Sequence, residues 1–254
     1  MRGSRAARGP GVRVLRLAPV VVCMVAVRAM DSMGSASHQV GLPVYAADLD
    51  PDGAAGFVGR FYAVWAVGCL LAHQVVQRVP AVSRWAGAGT PDPHDGQGEG
   101  DTRDGKAGQG ERDGRGAPGG ERGFAVGTCL MSGCFVLAFT GLPLPALLAV
   151  AVGAGLADGF TEIVYNLRLQ ALPAAQRGRV LGFAAMAETA ALGAGTVGCA
   201  SLLDHFAPLT VVSLAHGTAI ALALALAMLV LLFTVPALTA PPKAAVADGP
   251  PQLP

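Results

Sequence analysis

Between residues 145 and 203, two long apolar segments carry acids near their middles, and few folds accommodate that pattern. Residues 145–170 hold Asp158, Glu162, Tyr165, Asn166 and Arg168 in an apolar background. Residues 180–203 are rich in small side chains and hold Glu188. Between them lies the basic stretch Leu172-Pro173-Ala174-Ala175-Gln176-Arg177-Gly178-Arg179, which reads as a turn. A hydrocarbon core about 30 Å thick needs roughly 20 apolar residues in helix, and both segments are long enough. Unpaired charge in lipid is strongly penalised, so acids at this depth should face a protein interior or a wet cavity.

Composition agrees with a membrane setting. Of 254 residues, 52% are hydrophobic and only 14% charged, against about 25% charged in soluble domains. Abundant Ala and Gly let membrane helices approach closely. The net charge of +1 by itself says nothing about nucleic acid; no nucleic-acid partner is expected. The cysteines (Cys23, Cys69, Cys129, Cys134 and Cys199) lie singly in apolar stretches without a CxxC pair. That argues against a disulfide framework or a zinc site, and they read as packing residues. No metal and no cofactor are expected. A phosphate-cradling ATP loop is absent from the sequence, which argues against direct ATP coupling in this chain.

Residues 1–16 carry arginines and no acid, and read as a basic cytoplasmic N-terminus. Residues 17–80 hold the first two expected spans. The first runs through Arg28, Asp31, Ser32, Ser35, His38 and Gln39 to a kink at Pro43. At about 100° per residue, Arg28, Asp31, Ser35, His38 and Gln39 share one side. The basic start, the short apolar run 17–27 and the small residues Gly34-Ser35-Ala36-Ser37 also fit a cleaved signal peptide. The aligned polar stripe favours a first transmembrane helix. Asp48, Asp50 and Asp52 form an acidic turn before a second span at 54–79. Phe61, Tyr62 and Trp65 near its start suit an interfacial aromatic belt.

Residues 81–123 change character. Gly alternates with Asp, Glu, Arg and Lys, and almost nothing apolar lies between Trp85 and Phe124. Such a stretch cannot bury a core and is expected to be a disordered cytoplasmic loop. Spans three to six are expected at 124–140, 145–170, 180–203 and 209–235, within a membrane unit at 124–236. A disordered cytoplasmic tail is expected at 237–254. The N-terminal arginines, the 81–123 loop, Arg177 with Arg179, and Lys243 fall on one side of this six-span chain. The Lys/Arg asymmetry makes that side cytoplasmic, with both termini on it, in a multi-pass plasma-membrane protein.

The stretch Gly153-Ala154-Gly155-Leu156-Ala157-Asp158-Gly159, with Leu169-Gln170-Ala171-Leu172-Pro173-Ala174-Ala175-Gln176-Arg177-Gly178-Arg179-Val180-Leu181-Gly182 after it, resembles part of a major facilitator superfamily (MFS) transporter. The resemblance is to the family's tenth helix, its cytoplasmic turn and the start of its eleventh. Gly41-Leu42-Pro43-Val44-Tyr45-Ala46 is similar to the outer end of the seventh. The likeness spans the six helices outside the 81–123 insert and the tails, and covers the family's C-terminal half alone. Where a family half often has Gly-x-Leu-x-Asp-Arg, this chain has Gly68-Cys69-Leu70-Leu71-Ala72-His73, without the acid.

The resemblance implies an all-α membrane protein with six transmembrane helices arranged as one MFS-like half. It implies secondary active transport of a small organic molecule, with proton-coupled export as the mode considered. The expected partners are the lipid bilayer, the small-molecule substrate, and a second six-helix half or a second copy. The alternative is a truncated or split fragment without transport of its own.

On the fourth span Asp158, Glu162 and Tyr165 fall within about 60°, with Asn166 at their border. On the fifth, Glu188 lies in line with Ala184, Ala191 and Gly195. Arg28, Asp31, Ser35, His38, Gln39, Asp158, Glu162, Tyr165, Asn166 and Glu188 are thus the candidates for a substrate cavity and proton coupling. Arg28–Asp31, Arg168 with a nearby acid, and Glu188 also fit purely structural pairings. Arg177, Gly178 and Arg179 read as topology-setting residues of the cytoplasmic turn. The chain is not expected to be an enzyme. A remote alternative, an intramembrane serine protease, needs a serine and a histidine on separate spans. Ser132 and His216 are available, but Leu130-Met131-Ser132-Gly133 lacks the Gly-x-Ser-Gly pattern and sits on the third span.

Overall fold

The structure is a computed structural model and describes residues 19–86 and 119–239. Seven helices lie among these residues, and no strand does. They are α1 (Pro19–Leu49), α2 (Ala54–Arg78), α3 (Pro80–Ala86), α4 (Gly119–Ala138), α5 (Leu144–Gln170), α6 (Ala174–Leu203) and α7 (Pro208–Thr239). The expected basic terminus 1–16, most of the expected disordered loop and the final tail lie outside the described residues. At the loop's margins, α3 and the first turn of α4 are helical.

Five of these helices, α1, α2, α5, α6 and α7, are long and apolar enough to cross a membrane, and the chain reads as a multi-pass membrane protein. Six such spans were expected. The difference is α4, which begins earlier than expected and opens on Glu121 and Arg122. That leaves only 123–138 as an uncharged run, below the roughly 20 residues a span needs.

Other boundaries moved for local reasons. Pro43 does not end α1, which continues to Leu49. Pro236 likewise lies within α7. The basic turn is shorter than the sequence suggested. Pro173 is the N-cap of α6, and Ala174-Ala175-Gln176-Arg177-Gly178-Arg179 belong to the helix. Proline suits the start of a helix, and Ala, Gln and Arg propagate one. Arg177 donates from Nε and Nη2 to the Leu172 carbonyl at 3.3 and 3.1 Å, covering an acceptor just beyond the end of α5. Gly178 and Arg179 are exposed.

The helices pack in a paired scheme. α2 lies along α5, α1 along α6, α4 along α5, α1 along α7, and α4 along α7. Exchanging α1, α2 and α4 for α5, α6 and α7 returns the same set of pairs. Glycine sets the closest approaches. A Cβ on Gly68 would meet the Val152 carbonyl oxygen at 2.5 Å, and one on Gly159 would meet the Cys69 carbonyl oxygen at 2.9 Å. Gly155 faces the same seam. On the α1–α6 seam, Gly195 backs onto Met33 and Ala36. Gly193 and Gly198, on the same small-residue helix, have nothing within 4 Å of an added Cβ. Gly141 turns the chain between α4 and α5 at φ 78°, in the left-handed region that glycine favours. Its amide donates to Tyr45 Oη at 3.1 Å, tying α1 to that turn.

Two apolar clusters occupy opposite ends of the bundle. One gathers Met24, Val27, Phe124, Val164, Leu169 and Leu226. The other gathers Leu42, Phe61, Phe135, Phe139, Leu147 and Val212. Phe61 is buried in the second cluster instead of forming an interfacial belt, and Tyr62 and Trp65 pack against it. Between the clusters lies the polar layer.

Candidate functional site

The polar layer surrounds a cavity of about 630 Å³ lined from five helices. α1 contributes Arg28, Asp31, Ser32, Ser35, His38 and Gln39, the stripe expected from helical periodicity with Ser32 added. α2 adds Tyr62 and Trp65, α4 adds Phe135, α5 adds Asp158, and α6 adds Glu188, Thr189 and Leu192. Asp158 and Glu188 lie close to the midpoints of their helices, so the layer sits at mid-depth.

Arg28 is the hub. Its Nη1 donates to Asp31 Oδ2 at 2.8 Å and to Asp158 Oδ1 at 3.4 Å, and its Nη2 donates to Glu162 Oε2. One guanidinium thus joins three carboxylates from α1 and α5, as its forked donors allow. Glu162 is not a lining residue and its side chain is partly exposed; Asn166 Nδ2 donates to its Oε1 at 2.7 Å and to its carbonyl at 3.0 Å. Tyr165, also off the wall, donates from its hydroxyl to Glu188 Oε1 at 2.9 Å, linking α5 to α6. Three of the expected acids (Asp31, Asp158 and Glu162) thus share a single guanidinium, and a fourth, Glu188, lines the same cavity on the hydroxyl of Tyr165.

Arg168 is not part of this assembly. It pairs with Glu121 of α4 at 2.7 Å, away from the cavity, which identifies the acid the sequence left open.

A second network was not assembled from the sequence. His38 Nδ1 lies 3.2 Å from His216 Nε2 of α7, and His216 Nδ1 lies 3.2 Å from Ser132 Oγ of α4. The His38 ring stacks on Phe135 with centroids 3.7 Å apart. Gly34 makes room for His216, since a Cβ there would sit 3.1 Å from its Nδ1. The serine and histidine considered for hydrolysis are thus hydrogen-bond neighbours. Ser132 is 0% exposed, however, and a peptide carbonyl has no approach to it in this packing.

Tyr62, Trp65, Thr189 and Leu192 are lining residues that periodicity on single helices did not reveal. Tyr62 and Trp65 are three apart and so share a helix face, which was the available signal. Among the described residues no group of three His, Cys, Asp or Glu side chains is placed to hold a metal ion. No family model, no curated protein and no solved structure matches the chain.

Proposed function

We propose that this chain is one six-helix half of a secondary active transporter of the MFS type, and that the mid-depth cavity is its substrate path. The observation that carries the reading is a mid-depth cavity lined by Arg28, Asp31, Asp158 and Glu188, with Arg28 paired to Asp31, Asp158 and Glu162. Ionisable groups kept within a membrane bundle are costly and mark substrate or proton pathways. Helix packing is consistent with the proposal. The exchange of α1, α2 and α4 for α5, α6 and α7 describes two three-helix units, and an odd number of spans per unit inverts the second relative to the first. This counts α4 as a sixth crossing, its charged first turn reaching the headgroup region.

In this reading the carboxyls take up and release protons as access alternates, and both termini face the cytoplasm of a plasma-membrane protein. Two halves of this family are related by an axis along the membrane normal. A second copy or a separately encoded half therefore completes the cavity. The test is uptake of substrate into proteoliposomes under an imposed proton gradient. Asp158→Asn and Glu162→Gln abolish it while leaving the purified protein folded. Undiminished uptake in both variants removes these residues from the pathway.

A further inference from the structure

We propose that the cavity binds a small organic cation, a protonated amine with an aromatic body and a neighbouring hydrogen-bond acceptor. The inference deepens the transport reading and rests on it only for physiological use, since binding can be measured without transport.

Charge is the first ground. Arg28 commits both terminal nitrogens to Asp31, Asp158 and Glu162 and keeps only its Nε unpaired, so an anion would find a single N–H among several carboxylates. His38, the other basic group on the wall, is enclosed by Phe135 and His216. A cationic occupant offsets the carboxyls that one guanidinium leaves unbalanced.

An unmet acceptor is the second ground and is independent of the charge count. Asp31 is 2% exposed and lines the cavity. Its Oδ2 accepts from Arg28, while its buried Oδ1 has no partner. Buried polar atoms are almost always paired, so this oxygen calls for a donor. An ammonium N–H supplies one with charge assistance.

The wall supplies the third. Tyr62 and Trp65 border the cavity beside the acids, and cations favour the faces of such rings. Trp65 Nε1 is also buried without an acceptor, and an occupant bearing a hydroxyl near its ammonium answers both groups. The cavity volume of about 630 Å³ suits a drug-sized molecule.

The test is calorimetric titration of the full chain in nanodiscs with three matched probes: phenylethanolamine, mandelate and phenylethanediol. They share the ring and hydroxyl and differ in carrying an ammonium, a carboxylate or a neutral group. Phenylethanolamine should bind and mandelate should not. The diol should bind at least about tenfold more weakly than the amine, a factor worth roughly 1.4 kcal/mol. Asp31→Asn should weaken the amine by a similar factor. Glu188→Gln, which leaves the Arg28 pairs intact, should also weaken it. Mandelate or the diol binding as tightly as the amine overturns the proposal, as does no amine binding or unchanged affinity in both variants. Amine binding with no proteoliposome uptake rejects the transport reading and leaves the cation site standing.

Discussion

Arg28 decides the character of the polar layer because, among the described residues, no other Lys or Arg lines it. A residue that holds three carboxylates offsets their desolvation, and removing it leaves buried charge uncompensated, at a cost of about 3–5 kcal/mol. Arg28→Met should lower the thermal midpoint of the purified protein markedly. Arg28→Lys keeps the charge but loses the fork, and should fall between Met and wild type. Equal midpoints for Met and wild type would show that the assembly does not contribute to stability. Ser132 offers a second test at this scale. Ser132→Ala leaves His216 Nδ1 without its neighbour in a buried site, a loss of about 1–3 kcal/mol. A serine-directed fluorophosphonate should leave the wild-type protein unlabelled; labelling that vanished in Ser132→Ala would make Ser132 a nucleophile.

Much of this layer was legible at the residue scale. The stripe from Arg28 to Gln39 followed from helical periodicity alone, because residues on one face share one environment. The links from Arg28 to Asp158 and from Tyr165 to Glu188 were not legible. Periodicity gives the direction of a side chain about its own helix, but not which helix stands opposite.

At the scale of elements, the seams between helices rest on glycine backbones. Gly68, Gly155 and Gly159 bring α2 and α5 into contact closer than a Cβ allows. Gly155→Leu should force the pair apart, costing at least the roughly 1–3 kcal/mol typical of overpacking. Gly193→Leu, with open space around it, should change stability far less. Melting curves of the two variants, side by side, check this; similar losses would contradict the packing described. Sequence reasoning singled out the small-residue face of α6, where only Gly195 of the glycines considered is pressed against a neighbour. It overlooked the Gly68–Gly155–Gly159 seam because a small residue is informative only once its partner is known. The basic turn was misjudged for the opposite reason. The charges of Arg177 and Arg179 drew attention, while the good helix formers around them carried α6 back to Ala174.

For the whole molecule, the number of bilayer crossings turns on α4. Single cysteines at Asp52, Gln176 and His205 in a cysteine-free background report sidedness. With α4 crossing, Asp52 and His205 should be labelled from one face of the membrane and Gln176 from the other. If α4 does not cross, Asp52 and His205 should fall on opposite faces. Composition made the membrane setting plain, and five helices are long and apolar enough to span. The sixth was ambiguous because Glu121 and Arg122 sit inside a short helix whose hydrophobic run is otherwise continuous.

The most direct measurement asks whether water reaches the polar layer. Ser35→Cys and Thr189→Cys, in a cysteine-free background, place thiols on the cavity wall from α1 and α6. Val197→Cys places one on an exposed position further along α6. A charged methanethiosulfonate reagent should modify both wall thiols at comparable rates, excess phenylethanolamine should slow the reaction, and the thiol at position 197 should stay inert in lipid. Inert wall thiols beside a reactive one at 197 would mean that the acids face no common aqueous space.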